Sequence, residues 1–120
     1  MKQKFIVILL GEVWDLLDTI DEKSKDKILY NIDKAKYVND PELFKKIDEQ
    51  IWEFRTKYKK IYYRLFSFWD KTDATETLVV ATHGIIKKTD KIPKSEIEKA
   101  KAIMKQYFEQ KLKKNDNHGK

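Results

Sequence analysis

Phe5 to Leu10 is an unbroken apolar run containing two isoleucines and a valine, a pattern that predicts a buried strand closing near Gly11. The apolar period then changes. Val13, Leu16, Leu17 and Ile20 fall on one helical face with Trp14 beside them, and the spacing resumes at Ile28, Leu29, Ile32, Ala35 and Tyr37. The polar stretch DEKSKDK between the two sets reads as a tight joint, so the spacing predicts an antiparallel helix pair over about 11–20 and 22–38. Asn39-Asp40-Pro41 ends it.

Pro41 to Ile47 is expected to form a helical turn, leading into three β-rich segments near 50–57, 60–69 and 76–83. The links TKYKK and WDKTDATET are short and polar, which predicts consecutive hairpins in an antiparallel meander. Alternation assigns the faces. In the first segment Trp52 and Phe54 oppose Ile51, Glu53 and Arg55, and in the second Ile61, Tyr63 and Leu65 oppose Tyr62, Arg64 and Phe66. With Trp52, Phe54, Tyr63 and Leu65 packed on the helices, Glu53, Arg55 and Arg64 share the open face. In the third segment Leu78, Val80 and Thr82 alternate with Val79, Ala81 and His83. It is apolar on both sides, as a central strand is, so its facing stays open, and His83 is the polar exception at its end. From Pro93 the helical period returns through Ile97, Ala100, Met104, Tyr107 and Phe108, predicting a helix to about 112. The closing stretch lacks apolar residues. The expected organisation is one domain over 1–113 followed by a disordered basic tail over 114–120, with His118 in solvent.

At 120 residues the chain is long enough for a single core. It has no cysteine, which removes disulfides, thiolate nucleophiles and cysteine metal clusters, and fits a reducing cytoplasm. The N-terminal apolar run is too short to span a bilayer or serve as a signal-peptide core, so no membrane partner is expected. The net charge of +6 is uneven: residues 1–40 carry seven lysines against eight acids, while 93–120 carry eight lysines against four. A basic second half suits a polyanionic partner held by salt-dependent attraction.

Of the 26 basic residues only Arg55 and Arg64 are arginine, and both lie in adjacent strand-like segments. A guanidinium carries its donors in a rigid planar fork that grips a phosphate or carboxylate through two bonds, which lysine cannot copy. Both arginines are therefore read as ligands for an anion, beside the plainer reading that one pairs with Glu53 across the strands. His83 and His118, 35 positions apart, make no metal-ligand cluster.

Taken in order, Trp52-Glu53-Phe54-Arg55, Tyr63-Arg64, His83-Gly84-Ile85-Ile86-Lys87-Lys88-Thr89 and Pro93-Lys94-Ser95-Glu96-Ile97 with Ala100 resemble the HigB-like, phage-derived branch of the RelE/ParE toxin superfamily of type II toxin–antitoxin systems. The resemblance extends loosely through residues 12–32 and covers nearly the whole chain. Ile85 replaces the usual aromatic, and Ile92 stands where a capping threonine is frequent. The resemblance implies an α+β, RelE-like fold: two N-terminal helices packed on an antiparallel sheet of about four strands, with a C-terminal helix.

It further implies a cytoplasmic toxin that cuts messenger RNA, commonly on the ribosome, without metal or cofactor, using the ribose 2′-OH as nucleophile, and held in check by a helix-turn-helix antitoxin protein. Such a reaction needs a proton acceptor at the 2′-oxygen, positive charge around the phosphorus and a proton donor for the leaving 5′-oxygen. On this reading Glu53 is the base or orients an arginine, Arg55 and Arg64 clamp the phosphate, and His83 is the candidate acid. Lys87 and Lys88 add charge along the RNA, and Tyr62 and Phe66 offer stacking surfaces to a base. The same fold has two rival uses: a ParE-type toxin that binds DNA gyrase without such a charged set, and a catalytically silent RNA- or protein-binding module.

Overall fold

The computed structural model describes residues 2–118. In chain order the elements are β1 (Ile6–Leu9), α1 (Gly11–Asp18), α2 (Glu22–Ala35), β2 (Phe44–Lys46), β3 (Trp52–Tyr58), β4 (Ile61–Asp70), β5 (Leu78–Lys87) and α3 (Lys94–His118). The strands form one sheet in the order β1-β5-β4-β3-β2. The α+β class and the helix–meander–helix order match the sequence reading. The sheet itself differs from it in two ways, having five strands rather than about four and being mixed, because β1 pairs with β5 in parallel.

The fifth strand replaces part of the helical turn expected at 41–47. A turn does form, with the amides of Leu43 and Phe44 bonded to the Asp40 carbonyl, but the chain then extends as β2 against β3. Phe44 explains the choice. As a strand residue its ring stacks on Phe54 at 4.4 Å and Trp52 at 4.9 Å and meets Phe5 at 5.4 Å, contacts a helical turn could not align.

On one face of the sheet, Val13 and Leu17 of α1 and Ile28, Ile32 and Ala35 of α2 pack with Phe54, Tyr63 and Leu65, as alternation predicts, and with Val79 and Ala81, whose facing alternation left open. Two buried polar pairs fasten α2 there: Asn31 Nδ2 donates to Thr56 Oγ1 at 3.0 Å, and Tyr63 OH donates to Ser24 Oγ at 3.2 Å. Asp21 caps the helix by accepting from the Ser24 amide at 3.2 Å.

The opposite face is not fully open. Helix α3 roofs part of it, with Ile97, Ala100, Met104, Tyr107 and Phe108 packed on Ile51, Phe66, Phe68 and Val80. Its distal part is tied down by Asp70, whose fully buried carboxylate accepts from Tyr107 OH at 2.6 Å, Lys111 Nζ at 2.7 Å and Thr72 Oγ1 at 2.6 Å. Burial alone would raise the Asp70 carboxyl, but the bonds from Lys111, Thr72 and Tyr107 outweigh it and hold the group well below the usual carboxylate range. The backbone of α3 runs to His118, past the end expected near 112, through a stretch that holds neither glycine nor proline to break it. The side chain of His118 and residues 119–120 lie outside the described set.

Strand β5 extends to Lys87 rather than stopping near 83. Gly84, inside the extension, makes space for α1. A Cβ there would lie 2.5 Å from Leu65 Cδ2, 2.6 Å from Leu16 Cδ2 and 3.1 Å from the Arg64 carbonyl oxygen. Gly84→Ala is therefore expected to lower unfolding free energy by about 1–3 kcal/mol through overpacking. Urea denaturation will show this as a lower midpoint with an unchanged slope.

Candidate active site

The sheet face turned away from α1 and α2 carries three cross-strand rows. They are Lys45, Glu53, Phe66 and His83; Arg55, Arg64 and Ile85; and Lys57, Tyr62 and Lys87. Placement of the β5 members depends on an irregularity. Phe66 pairs with His83 but Ser67 pairs with Ala81, so Thr82 is an extra residue in the ladder. With strict alternation, His83 would point to the side opposite Val80, into the α1 and α2 core. The bulge turns His83, Ile85 and Lys87 onto the arginine face instead. Thr82 fills it, donating from Oγ1 to the Phe66 carbonyl at 3.2 Å and lying 2.9 Å from His83 Nδ1.

Arg55 and Arg64 are direct cross-strand partners on this face. Glu53, itself buried, sits between them with Oε1 at 3.1 Å from Arg55 Nε and Oε2 at 3.6 Å from Arg64 Nε. From the solvent side the Asp90 carboxylate closes the set, accepting from Arg64 Nη2 and lying 3.6 Å from Arg55 Nη2. Arg55 also donates from Nη1 to the Pro41 carbonyl at 3.2 Å, which fixes its outer edge. The Tyr62 ring lies 5.1 Å from Arg64 Cζ and 5.1 Å from Lys57 Nζ, an arrangement suited to cation–π attraction.

Burial pushes the Glu53 carboxyl above its ordinary 4.5, against the downward pull of Arg64 and Arg55. For Asp90 the balance is reversed. Desolvation would raise it, yet the hydrogen bond and charge of Arg64, with Arg55 adding to them, hold it below the ordinary 3.8.

The residues singled out by sequence divide accordingly. Glu53, Arg55 and Arg64 come together as one cluster, with Tyr62 over Arg64 and Lys87 beside Tyr62. Lys88 lies exposed in the segment after β5. Phe66 does not offer a stacking surface, which corrects the expectation: it is wholly buried under α3 and stacks on His83 with ring centroids 5.0 Å apart. His83 lies within β5 rather than at a strand end, and it too is buried, its Nε2 at 3.3 Å from Glu96 Oε2 of α3. Its ring is thus sealed from the face on which the guanidiniums meet solvent. Sequence reading missed Asp90, which no periodicity marks, and Lys45, which needed β2. Lys57 was within reach, since it continues the alternation Glu53, Arg55, Lys57.

Among the described residues, the buried side-chain nitrogens and oxygens without a hydrogen-bond partner are Glu53 Oε2, Arg55 Nε, Arg64 Nε and His83 Nε2. Glu53 thus holds the guanidiniums by charge and proximity rather than by aligned bonds. Unpaired buried polar atoms are rare and costly in native proteins, and here they fall on the four residues that the motifs single out.

The family model for phage-derived Gp49-like proteins (DUF891) matches residues 15–105. This span runs from α1 into α3 and includes every residue of the arginine cluster. No curated protein matches the chain.

Burial is the main cause that lowers His83 below its ordinary 6.5; Lys99 adds to this, while Glu96 and Glu12 oppose it. Because the folded value is the depressed one, His83 supports stability above pH 6.5 and that support is lost as pH falls through the folded value. Glu53 has the opposite sign: its raised folded value favours the fold below 4.5, and the benefit disappears as pH rises through that folded value. Urea midpoints measured on descending pH are expected to drop below 6.5 in the wild type and to stay flatter in His83→Gln.

Proposed function

Because the chain belongs to the phage-derived Gp49-like family, we propose that it is the toxin of a type II toxin–antitoxin pair, of the HigB-like kind. In this reading it is a metal-independent endoribonuclease that cuts messenger RNA, on the ribosome, by attack of the ribose 2′-OH on the adjacent phosphorus. The observation that carries the reading is the pair of guanidiniums presented from directly opposed positions of β3 and β4, with a buried carboxylate between their Nε atoms. Glu53 takes one edge of each fork and leaves both Nη2 atoms directed outward. Two forks converging on one point suit the non-bridging oxygens of a phosphodiester, whose negative charge grows at the pentavalent stage.

Of the two roles open to Glu53, the geometry favours orienting the arginines over taking the 2′-proton, because its oxygens are buried against both Nε atoms. Proton transfer then falls to groups that reach the solvent side, where Lys57 and Lys87 flank Tyr62. Tyr62 supplies the stacking surface that Phe66 does not, next to the clamp rather than across from it. Under α3, His83 acts as a positioning residue, joining the bulge at Thr82 to Glu96. Lys45, Lys57, Lys87 and Lys88 extend positive charge beyond the clamp along a bound strand. An antitoxin with a helix-turn-helix domain, encoded beside the toxin, would have to cover this basic face to silence it.

Inducing the chain in a bacterium is expected to stop growth and to produce new messenger 5′ ends at in-frame positions. Arg64→Ala is expected to lower the cleavage rate about 10²–10³-fold, the loss seen when one transition-state donor is removed. Arg64→Lys, which keeps the charge but not the fork, should fold and still lose most of the activity; circular dichroism separates the two effects. Growth arrest with intact messages and broken DNA would instead indicate action on gyrase, and harmless induction a silent binding module.

A further inference from the structure

Asp90 stands where the proposed reaction needs its substrate. A single oxygen, Oδ1, contacts Nη2 of Arg64 and lies 3.6 Å from Nη2 of Arg55, so the outward donors of both forks meet at one carboxylate. Glu53 and Asp90 therefore divide the arginines between them, Glu53 on the inner Nε edges and Asp90 on the outer ones. Their settings differ. The Glu53 side chain keeps 3% of its surface and Asp90 keeps 58%, while the Arg64 side chain between them keeps 4%. Asp90 thus helps to cover an arginine that would otherwise reach solvent, and it does so from outside the core.

The segment that carries Asp90 joins β5 to α3. Among the described residues, no turn or loop backbone hydrogen bond involves residues 88–92. Ile92 packs on the core beneath α3, and nothing comparable anchors the stretch before it. What holds Asp90 in place is its ion pair with the two guanidiniums, and an ion pair of this kind can be exchanged for another anion without disturbing the fold.

We propose that Asp90 is an internal mimic of an RNA phosphate, an autoinhibitory latch whose carboxylate occupies the seat between Arg55 and Arg64 and swings out when a phosphodiester enters. This rests on reading the two arginines as a phosphate clamp. A carboxylate and a phosphodiester each offer a guanidinium fork a single negative charge spread over two oxygens, so one can stand in for the other. RNA must compete with a tethered anion already in the seat, and its apparent affinity is reduced by the fraction of molecules in which that seat is free. The phosphate is favoured when neighbouring phosphates of the same strand also reach Lys57, Lys87 and Lys88, contacts Asp90 cannot supply. The latch thus discriminates against isolated small anions and in favour of a strand.

The test uses the full chain and a short single-stranded 2′-O-methyl RNA, which lacks the attacking hydroxyl and reports binding alone. Its affinity is measured at fixed ionic strength for the wild type, Asp90→Asn, Asp26→Asn, Arg64→Lys and the Asp90→Asn/Arg64→Lys double variant. Asp26 is an exposed acid on α2, across the sheet, and controls for net charge. Asp90→Asn is expected to bind about 10-fold more tightly than wild type, the scale of one charge-assisted hydrogen bond. Asp26→Asn should match wild type, and the gain should vanish in the double variant. If Asp90→Asn binds no better than Asp26→Asn while Arg64→Lys binds more weakly than wild type, the latch is overturned and the clamp stands. A gain that survives Arg64→Lys is a long-range charge effect and also overturns the latch. If Arg64→Lys and wild type bind alike, the phosphate-clamp reading itself fails, and the latch with it.

Discussion

Two guanidiniums directly opposed on neighbouring strands create the constraint that the rest of this face answers. Like charges at opposed positions of a sheet repel, and repulsion grows as the surroundings exclude water. Arg64 is nearly buried and Arg55 only partly exposed. The pair is tolerable only with negative charge close at hand, and Glu53 supplies it from within the sheet. Taking Glu53 out of water is itself unfavourable, as the upward displacement of its carboxyl shows. Neither the arginines nor the glutamate would be stable in place without the other. A second carboxylate, Asp90, then brings the local sum of these charges to zero.

The packing follows from the need to keep that cluster at the edge of water. Helix α3 covers Phe66, Phe68, Ile51 and Val80 but leaves Tyr62 partly exposed and the Arg55 and Arg64 row facing the segment before it. Phe66 lies in the ladder between Glu53 and His83, so it forms a wall between the charged cluster and the imidazole. Behind that wall His83 joins the Thr82 bulge to Glu96, and Lys99 of the same helix reaches Glu12 of α1 at 2.8 Å. The roof is fixed at its far end by Asp70. Its position over the sheet is thereby set independently of whether an anion occupies the arginines.

Much of this could be read from the sequence, and what could not has identifiable causes. The period of two in Trp52–Arg55 and Tyr62–Leu65 fixed which side chains meet α1 and α2, because a one-residue slip would expose all the aromatics at once. The same rule could not place His83. A single inserted residue reverses the facing of everything after it, and Thr82 carries no signal that it is the extra one. Burial of Phe66 was hidden for a different reason: an alternating strand reports only that a face is apolar, and not which later helix will cover it. The parallel pairing of β1 depends on partners 72 residues away along the chain, and the strand character of Phe44–Lys46 on partners 6 to 10 residues on, contacts that local pattern does not encode. Asp90 was illegible because its position is dictated by the charges it meets and by no period of its own.

The distribution of unpaired polar atoms argues that this region is kept for something other than stability. Elsewhere among the described residues, buried polar side chains are satisfied by directed bonds, as at Asp70, Asn31 and Ser24. A chain able to build the Asp70 cluster could have replaced Glu53, Arg55 and Arg64 with apolar side chains, an exchange that is often neutral or stabilising when the whole set is replaced together. It has instead retained donors and acceptors that are close to one another yet poorly aligned. An arginine held at its Nε edge by charge and not by a well-directed bond keeps a firm position, while its outward Nη2 donor meets only the exposed carboxylate of Asp90. That is the condition under which a fixed dipole can meet charge that develops during a reaction without first having to be reoriented. The same imperfect pairing leaves the guanidiniums open to exchanging one anion for another.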